Sequence, residues 1–446
     1  MSIRPRLIPA LTAAGALILL AACSPGASPS GDNTTAGDST TTTVTFRLWD
    51  DVAAPAYRES FDAFMAANSD IRVEVEVVPW AQYWERLPLD LSSGEMADIF
   101  WTNTSNFGVY ADNGDLLDIS KELGTDHDEW TESVTSLYER DGSLWGVPQL
   151  WDSIALYYNK DLTTAAGVDP SALTWAPGGG AGDTLLPAAR ALTTDAAGLH
   201  PGDEGFDPNT RQTYGYNSQA DLQAIYLDYL AQNGAQFQDD QDNFAFASPE
   251  GEQAFHYLVD LVNVHHVAPS AADTNPNGDI TRDLFLQSKL GLFQSGPYNL
   301  KTIAENADFE WGIAPIVAGP KGAQTVVHGV AALGNAHTKN KEATVKVLRW
   351  LGSADGQHAL AAQGVSFPAV VSEQQAFVDY WQEQGVDVQQ FVDAAEGDTT
   401  PAPVGPKVNA GFNEIVPVFQ NMFLGQQPVA EALKQAQDAG NAAMAD

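Results

Sequence analysis

The chain has 446 residues, 44% of them hydrophobic, and carries 58 acidic against 21 basic side chains for a net charge of −37. A field of that sign repels nucleic acid and anionic ligands, so the partners left to it are neutral or cationic. Its single cysteine, Cys23, excludes a disulfide framework and any multi-cysteine metal site.

The first residues, MSIRPR, set Arg4 and Arg6 ahead of the short apolar run LIPALTAAGALILLAA, which is the pattern of a bacterial export signal. Leu20, Ala21, Ala22 and Cys23 resemble the lipobox of bacterial lipoproteins. The resemblance implies that residues 1–22 are removed and that lipid is attached to the Cys23 thiol. The apolar run is shorter than the ~20 residues a bilayer core requires, so a transmembrane helix is the weaker reading. Loss of Arg4 and Arg6 takes the charge from −37 to −39. Residues 23–43 hold no aromatic and no branched aliphatic side chain after the cysteine, only Ser, Thr, Gly, Pro, Ala, Asp and Asn. Such a segment buries too little surface to offset its ordering and is expected to be a lipidated flexible tether.

Folding is expected from Val44. Roughly 400 residues follow, more than one hydrophobic core fills, so two lobes are expected. In VTFRLW, Val44, Phe46 and Leu48 alternate with polar or bulky neighbours, the period of a half-buried strand. The period then changes: after Pro55, Tyr57, Phe61, Phe64 and Met65 recur at helical spacing, and IRVEVEVV returns to alternation through Ile71, Val73, Val75 and Val77. A strand, a crossover helix and a strand make a parallel pair, and ADIF at 97–100 supplies a third strand. Further on, WAPGGGAGD and HPGDEGFDPNTRQ read as loops, PEGEQAFHYLVDLVNVHH as a helix burying Phe255, Leu258, Val259 and Val262, and KEATVKVLRWLGS as a helix burying Val345, Leu348 and Leu351.

Ligand crevices of open parallel sheets lie beyond the carboxyl ends of the strands. The three strand exits share a composition: Trp49, Asp50 and Asp51; then Trp80, Gln82, Tyr83 and Trp84; then Trp101, Thr102 and Asn103. Flat rings beside short planar polar groups suit a carbohydrate, which offers a C–H face for stacking and a rim of hydroxyls for hydrogen bonds. Any one such Trp is as readily core packing. Trp151 and Asp152 stand at another strand boundary, and the alternative for them is lobe-interface packing and a turn cap.

Two decoys are set aside. His265 and His266 are adjacent near a helix end, where they point apart and simply favour the helix dipole. Residues 273–284, DTNPNGDITRDL, place Asp273, Asn275, Asn277 and Gly278 on the first, third, fifth and sixth positions of a calcium loop, yet Leu284 stands where a bidentate Glu is needed. No GxSxG, HExxH or GxxxxGK[ST] motif occurs. A glycoside hydrolase needs only two suitably spaced carboxylates and stays open as an alternative.

FRLWDD, ADIFWTN, YADNGDLLDIS, SLWGVPQLWDSIALYYNKDL, KLGLFQSGPYNL and HGVAALGNAHTKNKEATVKVLRWLGS, in that order, resemble extracellular sugar-binding lipoproteins of ABC importers, the maltose-binding-like group of family 1 solute-binding proteins. The resemblance implies an α/β, two-lobed periplasmic-binding-protein-like fold of type II, with lobes hinged around a central cleft. Lobe one would be 44–151 with 330–370, and lobe two 152–329 with 371–446. Trp49, Asp50, Tyr83 and Asn103 would face the cleft from lobe one, and Tyr216, Asn217 and Tyr298 from lobe two. Trp151, Asp152, His328, Gly329 and Phe367 would line the hinge. Two departures bear on the ligand: Tyr298 stands where many relatives carry Trp, and His328 with Gly329 where a glycine pair is common.

The expected function is capture of a neutral mono- or oligosaccharide by lobe closure and delivery to a membrane-embedded ABC permease. The protein would act as a monomer, without catalysis, cofactor, metal or nucleic acid, held by its lipid on the extracytoplasmic face of the cell membrane. The alternatives are an exported hydrolase and a binder of another solute such as a polyol phosphate. That last ligand calls for clustered arginines, whereas only Arg86 lies near a strand exit.

Overall fold

Strand β1, Thr42–Leu48, buries Val44, Phe46 and Leu48. It starts before the expected boundary, because Thr42 and Thr43 pair with Ile71 and Arg72 of β2, Ile71–Val77. β-Branched threonines suit a strand, and the parallel ladder uses them, so the expected tether is shorter at its carboxyl end. The computed structural model describes residues 41–405 and 407–445; the signal, cleavage and lipidation expected at 1–23 lie outside the described residues. Helix α1, Ala54–Ala67, takes Pro55 in its first turn and buries Tyr57, Phe61 and Phe64 against β1. After β2 comes α2, Trp80–Ser93, then β3, Ile99–Asn103, parallel to β1. Trp101, Thr102 and Asn103, expected beyond the strand, belong to it. A strand buried on both faces reads as an unbroken apolar run, so its end carries no mark in the alternation.

Two strands follow with only Ser153 and Ile154 between them: β4, Val147–Asp152, and β5, Ala155–Asn159. They belong to different sheets, so the chain leaves lobe one there. In lobe two β6, Tyr214–Tyr216, β7, Leu290–Ser295, and β8, Trp311–Ala314, join β5 in the order β8-β5-β7-β6. A π-helical turn, Leu222–Tyr226, leads into α3, Leu227–Asn233, and α4, Pro249–Asn263, buries Phe255, Leu258, Val259 and Val262 as its periodicity predicts. The calcium-loop-like segment folds as a turn and then a helix over Ile280–Leu286, with the Asn275 amide donating to Gln420 O at 3.0 Å.

The chain returns through Thr325–Val326 into β9, His328–Gly334. Ile154 N donates to Thr325 Oγ1 at 3.0 Å, which ties the two crossings together, and Val326 N donates to Asp228 Oδ1 of α3 at 2.8 Å. β9 is antiparallel to both β3 and β4, and β10, Phe367–Pro368, adds to β4. The lobe-one sheet thus runs β10-β4-β9-β3-β1-β2. Helix α5, Lys341–Leu351, buries Leu348 and Leu351 with Val347, while Val345 is only half-buried at the margin of that face. Then come α6, Ala354–Ala362, and α7, Gln374–Glu383.

Each lobe has its own core, and a third apolar cluster around Trp151, Tyr157, Phe367, Phe377, Trp381 and Phe391 joins them at the hinge. The segment from 371, expected wholly in lobe two, begins elsewhere. Trp381 Nε1 donates to Gly364 O at 3.1 Å and Gln374 Nε2 to Thr131 Oγ1 at 2.8 Å, so α7 lies against lobe one and the hinge. Only α8, Val408–Phe423, and α9, Val429–Ala445, pack into the lobe-two core. Among the described residues no helix is long and apolar enough to cross a membrane.

Candidate ligand cleft

The sheet order brings the expected residues to one edge of lobe one. β9 begins where β3 ends, with Val330 opposite Asn103, and β4 ends where β9 begins, with Asp152 opposite His328. Read along that edge, the row is Asp152, His328, Asn103, Asp50 and then the exit of β2 at Trp80.

At the hinge end Asp152 is 8% exposed and its Oδ1 accepts a 2.5 Å hydrogen bond from Gln223 Nε2. Burial outweighs that bond and pushes the carboxyl up to about 8, so it keeps its proton at neutral pH. His328 is buried, neither ring nitrogen has a partner, and burial lowers it to about 4. It is therefore a neutral imidazole. Trp151 cannot share the face of Asp152, because adjacent residues of a strand point to opposite sides. Its ring is 6% exposed and stacks on Phe367 with centroids 4.8 Å apart. The ring expected to lie on sugar, and the Phe367 ring with it, are packing of the hinge. Gly329, paired with Trp151, lies on that same side, where a Cβ would meet Val134 Cγ1 at 3.1 Å. Its carbonyl accepts from Tyr138 Oη at 2.6 Å.

The far end is aromatic. Trp49 is half-buried, with ring centroids 5.0–5.4 Å from Trp80, Tyr83, Trp84 and Trp101. Asp50 Oδ1 accepts from Val52 N at 2.8 Å and Ala53 N at 3.2 Å, which fixes the entry to α1, and burial raises its pKa. Tyr83 is buried and donates to Trp101 O at 2.7 Å, so it braces the site from behind. Trp80, at the start of α2, is 52% exposed. Tyr83, Leu87 and Leu91 form the buried stripe of α2 at four-residue spacing, a signal that assigns Tyr83 to the core and frees Trp80. In the middle of the row, Asn103 Oδ1 accepts from Asn106 Nδ2 at 2.6 Å, and Asn106 Oδ1 accepts in turn from Asn409 of α8, across from lobe two.

On lobe two the expectations divide. Tyr216 and Asn217 are interior: Tyr216 Oη donates to Gln294 Oε1 and accepts from Tyr229 Oη, both at 2.9 Å, and the Asn217 amide pairs both ways with the Gln294 backbone. Their polar atoms are spent bracing β6 to β7, its neighbour in the sheet. Tyr298 is 44% exposed, its hydroxyl accepting from Ser295 Oγ at 3.3 Å. Gln223, which reaches Asp152, was missed. It rides on the π-helical turn capped by Asp221, whose Oδ1 accepts from Ala224 N at 2.8 Å, and such turns recur at functional sites. Only the cap is visible in sequence.

A family model described as bacterial extracellular solute-binding protein matches residues 50–358. The chain belongs to that family. UspC of M. tuberculosis is 44% identical, with a TM-score of 0.73, covering 90% of this chain and all of that one. The substrate-binding protein of Listeria monocytogenes solved with cycloalternan shares the fold at 21% identity and a TM-score of 0.78, over 91% of this chain and 99% of that one. A binding protein of Brucella abortus is 27% identical over 397 residues, 86% of this chain and 88% of its own, and the maltodextrin-binding protein of Bacillus subtilis 23% identical over 320 residues, 70% of each. The solute-binding protein thus has the two-lobed α/β fold of periplasmic binding proteins with a cleft between its lobes. The family binds and does not catalyse, which removes the hydrolase alternative.

Proposed function

We propose that this solute-binding protein captures a neutral saccharide in the cleft and presents it to an ABC permease, lipid-anchored through Cys23 on the outer face of the cell membrane. The observation that carries the reading is the composition of the lobe-one edge: a protonated Asp152, a neutral His328 and a half-exposed tryptophan cluster stand in one row. Neutral donors and acceptors beside flat rings suit hydroxyls and C–H faces, and they offer a phosphate no cationic partner. Arg86, the one arginine near a strand exit, is paired with Asp90 at 3.4 Å. Relatives named for maltodextrin, arabinooligosaccharide and diacetylchitobiose binding support the same class of ligand.

Thermal shift against neutral sugars and phosphorylated polyols tests it, since a ligand at 100 times its Kd adds about 2.7 kcal/mol of stability. A raised melting point with one or more neutral sugars is expected. A shift with polyol phosphates and with no sugar would sink the reading.

A further inference from the structure

We propose that the hinge end of the cleft is a proton-operated latch: closing the lobes seals a neutral Asp152 and His328 behind Gln223, and loss of the Asp152 proton favours opening, whichever ligand the cleft takes. Asp152 is the last residue of β4 and His328 the first of β9, and the two are paired beside the crossings, where Ile154 meets Thr325. Lobe two covers them. Gln223 Nε2 donates to Asp152 Oδ1 at 2.5 Å, and Asp152 and His328 are 8% and 5% exposed. The titratable groups facing Asp152 are His328 and Tyr138 from lobe one and Asp221 and Tyr298 from lobe two, and none of them brings a lysine or arginine charge. A buried carboxylate with one amide as its partner is costly, and so is a buried imidazolium whose nitrogens have no acceptor. The sealed pair is therefore neutral.

Opening withdraws Gln223 and admits water, so both groups return toward their ordinary values of ~3.9 and ~6.5. In the closed form they stand at about 8 and about 4. Between about pH 4 and 6.5 the open form holds a carboxylate beside an imidazolium, and on closing the proton that His328 gives up balances the one that Asp152 gains. From about pH 6.5 to 8 the imidazole is neutral in both forms, and closing takes one proton from water onto the Asp152 carboxylate. A step that takes up one proton loses a factor of ten for each pH unit. The ratio of open to closed forms thus rises by up to about 30-fold across that span and levels off above it, where Asp152 is ionised in both. Ordinary carboxylates, lysines and tyrosines titrate outside the span.

Small-angle scattering of the sugar-free protein at constant ionic strength, from about pH 6 to 9.5, on wild type and Asp152→Asn provides the test. The wild-type radius is expected to grow between about pH 6.5 and 8 and then to level off. The Asp152→Asn amide is neutral at every pH and still accepts from Gln223, so its radius should stay at the small wild-type value throughout. A constant wild-type radius would overturn the latch. So would an equal rise in Asp152→Asn, which would assign the opening to another carboxyl lifted by burial, such as Asp221 or Asp228. If circular dichroism shows Asp152→Asn unfolded, Gln223→Leu decides. Without the bond that lowers the Asp152 value, its rise should extend to higher pH than in wild type, and a rise at the wild-type pH would overturn the latch.

Discussion

Asp152 and His328 face each other across a strand pair and respond to pH in opposite senses. The Asp152 carboxyl, lifted by burial to about 8, holds a proton in the folded chain that the unfolded chain releases near ~3.9. Between those values unfolding sheds that proton, so its contribution to stability is full at low pH and is lost as pH rises through 8. His328, lowered to about 4, binds a proton only on unfolding between pH 4 and its ordinary value, and so removes stability as pH falls below that value. From pH 6.5 to 8.5 only Asp152 of the pair acts. Denaturant unfolding of the protein without sugar should therefore show stability falling across that window, and Asp152→Asn should make the fall shallower by up to about 1.4 kcal/mol per pH unit. The Asp228 carboxyl, which burial also pushes up, is the same in mutant and wild type. A mutant slope equal to that of wild type would mean that Asp152 is ionised in the fold. The same pair shows what was legible here. Asp152 is readable as a polar group at a strand end, but the same boundary carries Trp151, and the two-residue period of a strand turns one of the two away from the cleft.

At the level of elements, α8 is the part of lobe two that touches lobe one through side chains at the middle of the cleft. Asn409 donates to Asn106, and Asn106 to Asn103 at the end of β3. These amides connect the lobes whether or not a ligand does, so they bias the equilibrium between open and closed forms. A neutral hydrogen bond contributes about 0.5–1.5 kcal/mol, so Asn409→Ala should weaken sugar binding roughly 2- to 12-fold. Small-angle scattering should show a larger radius for this mutant without sugar and a wild-type radius at saturation; equal radii in both conditions would assign Asn409 to packing within lobe two. Helix α2 is held differently. Arg47, buried in β1, pairs with Glu76 at 2.8 Å and with Asp90 at 2.6 Å, and so fixes the helix whose first residue is Trp80. The strand-helix-strand order of this region is plain in the periodicity, but the ion pairs join residues 29 and 43 apart and no local pattern announces them.

For the whole molecule, the acidic balance and the single cysteine bear on where it works. The anchoring proposal predicts that Cys23→Ser yields a folded, sugar-binding protein that leaves the membrane fraction, with acyl labelling lost. Membrane association persisting in a processed mutant would count against a lipid anchor. The sheet order is the other property of the whole. Lobe one is completed by β9 and β10, from residues more than 220 positions after β3. Hence the row from Asp152 to Trp80 exists only once distant segments have paired.

Sequence by itself determined the alternation of β1 and β2, the crossover that makes them parallel, the apolar face of α4 and the acidic balance of the chain. These follow from local period and from summed charge, which need no tertiary contacts. Tertiary structure alone decided which exit residues reach the surface. Tyr83 and Trp80 are chemically similar and three positions apart, yet the stripe shared with Leu87 and Leu91 buries one and leaves the other 52% exposed. Tyr216 and Asn217 look like cleft residues until β7 comes alongside and takes up their hydrogen bonds. Gln223 gains its role because a turn in lobe two meets the last residue of a strand in lobe one, 71 positions away. Burial is a property of the packed molecule, and it is burial that sets the protonation of Asp152 and His328.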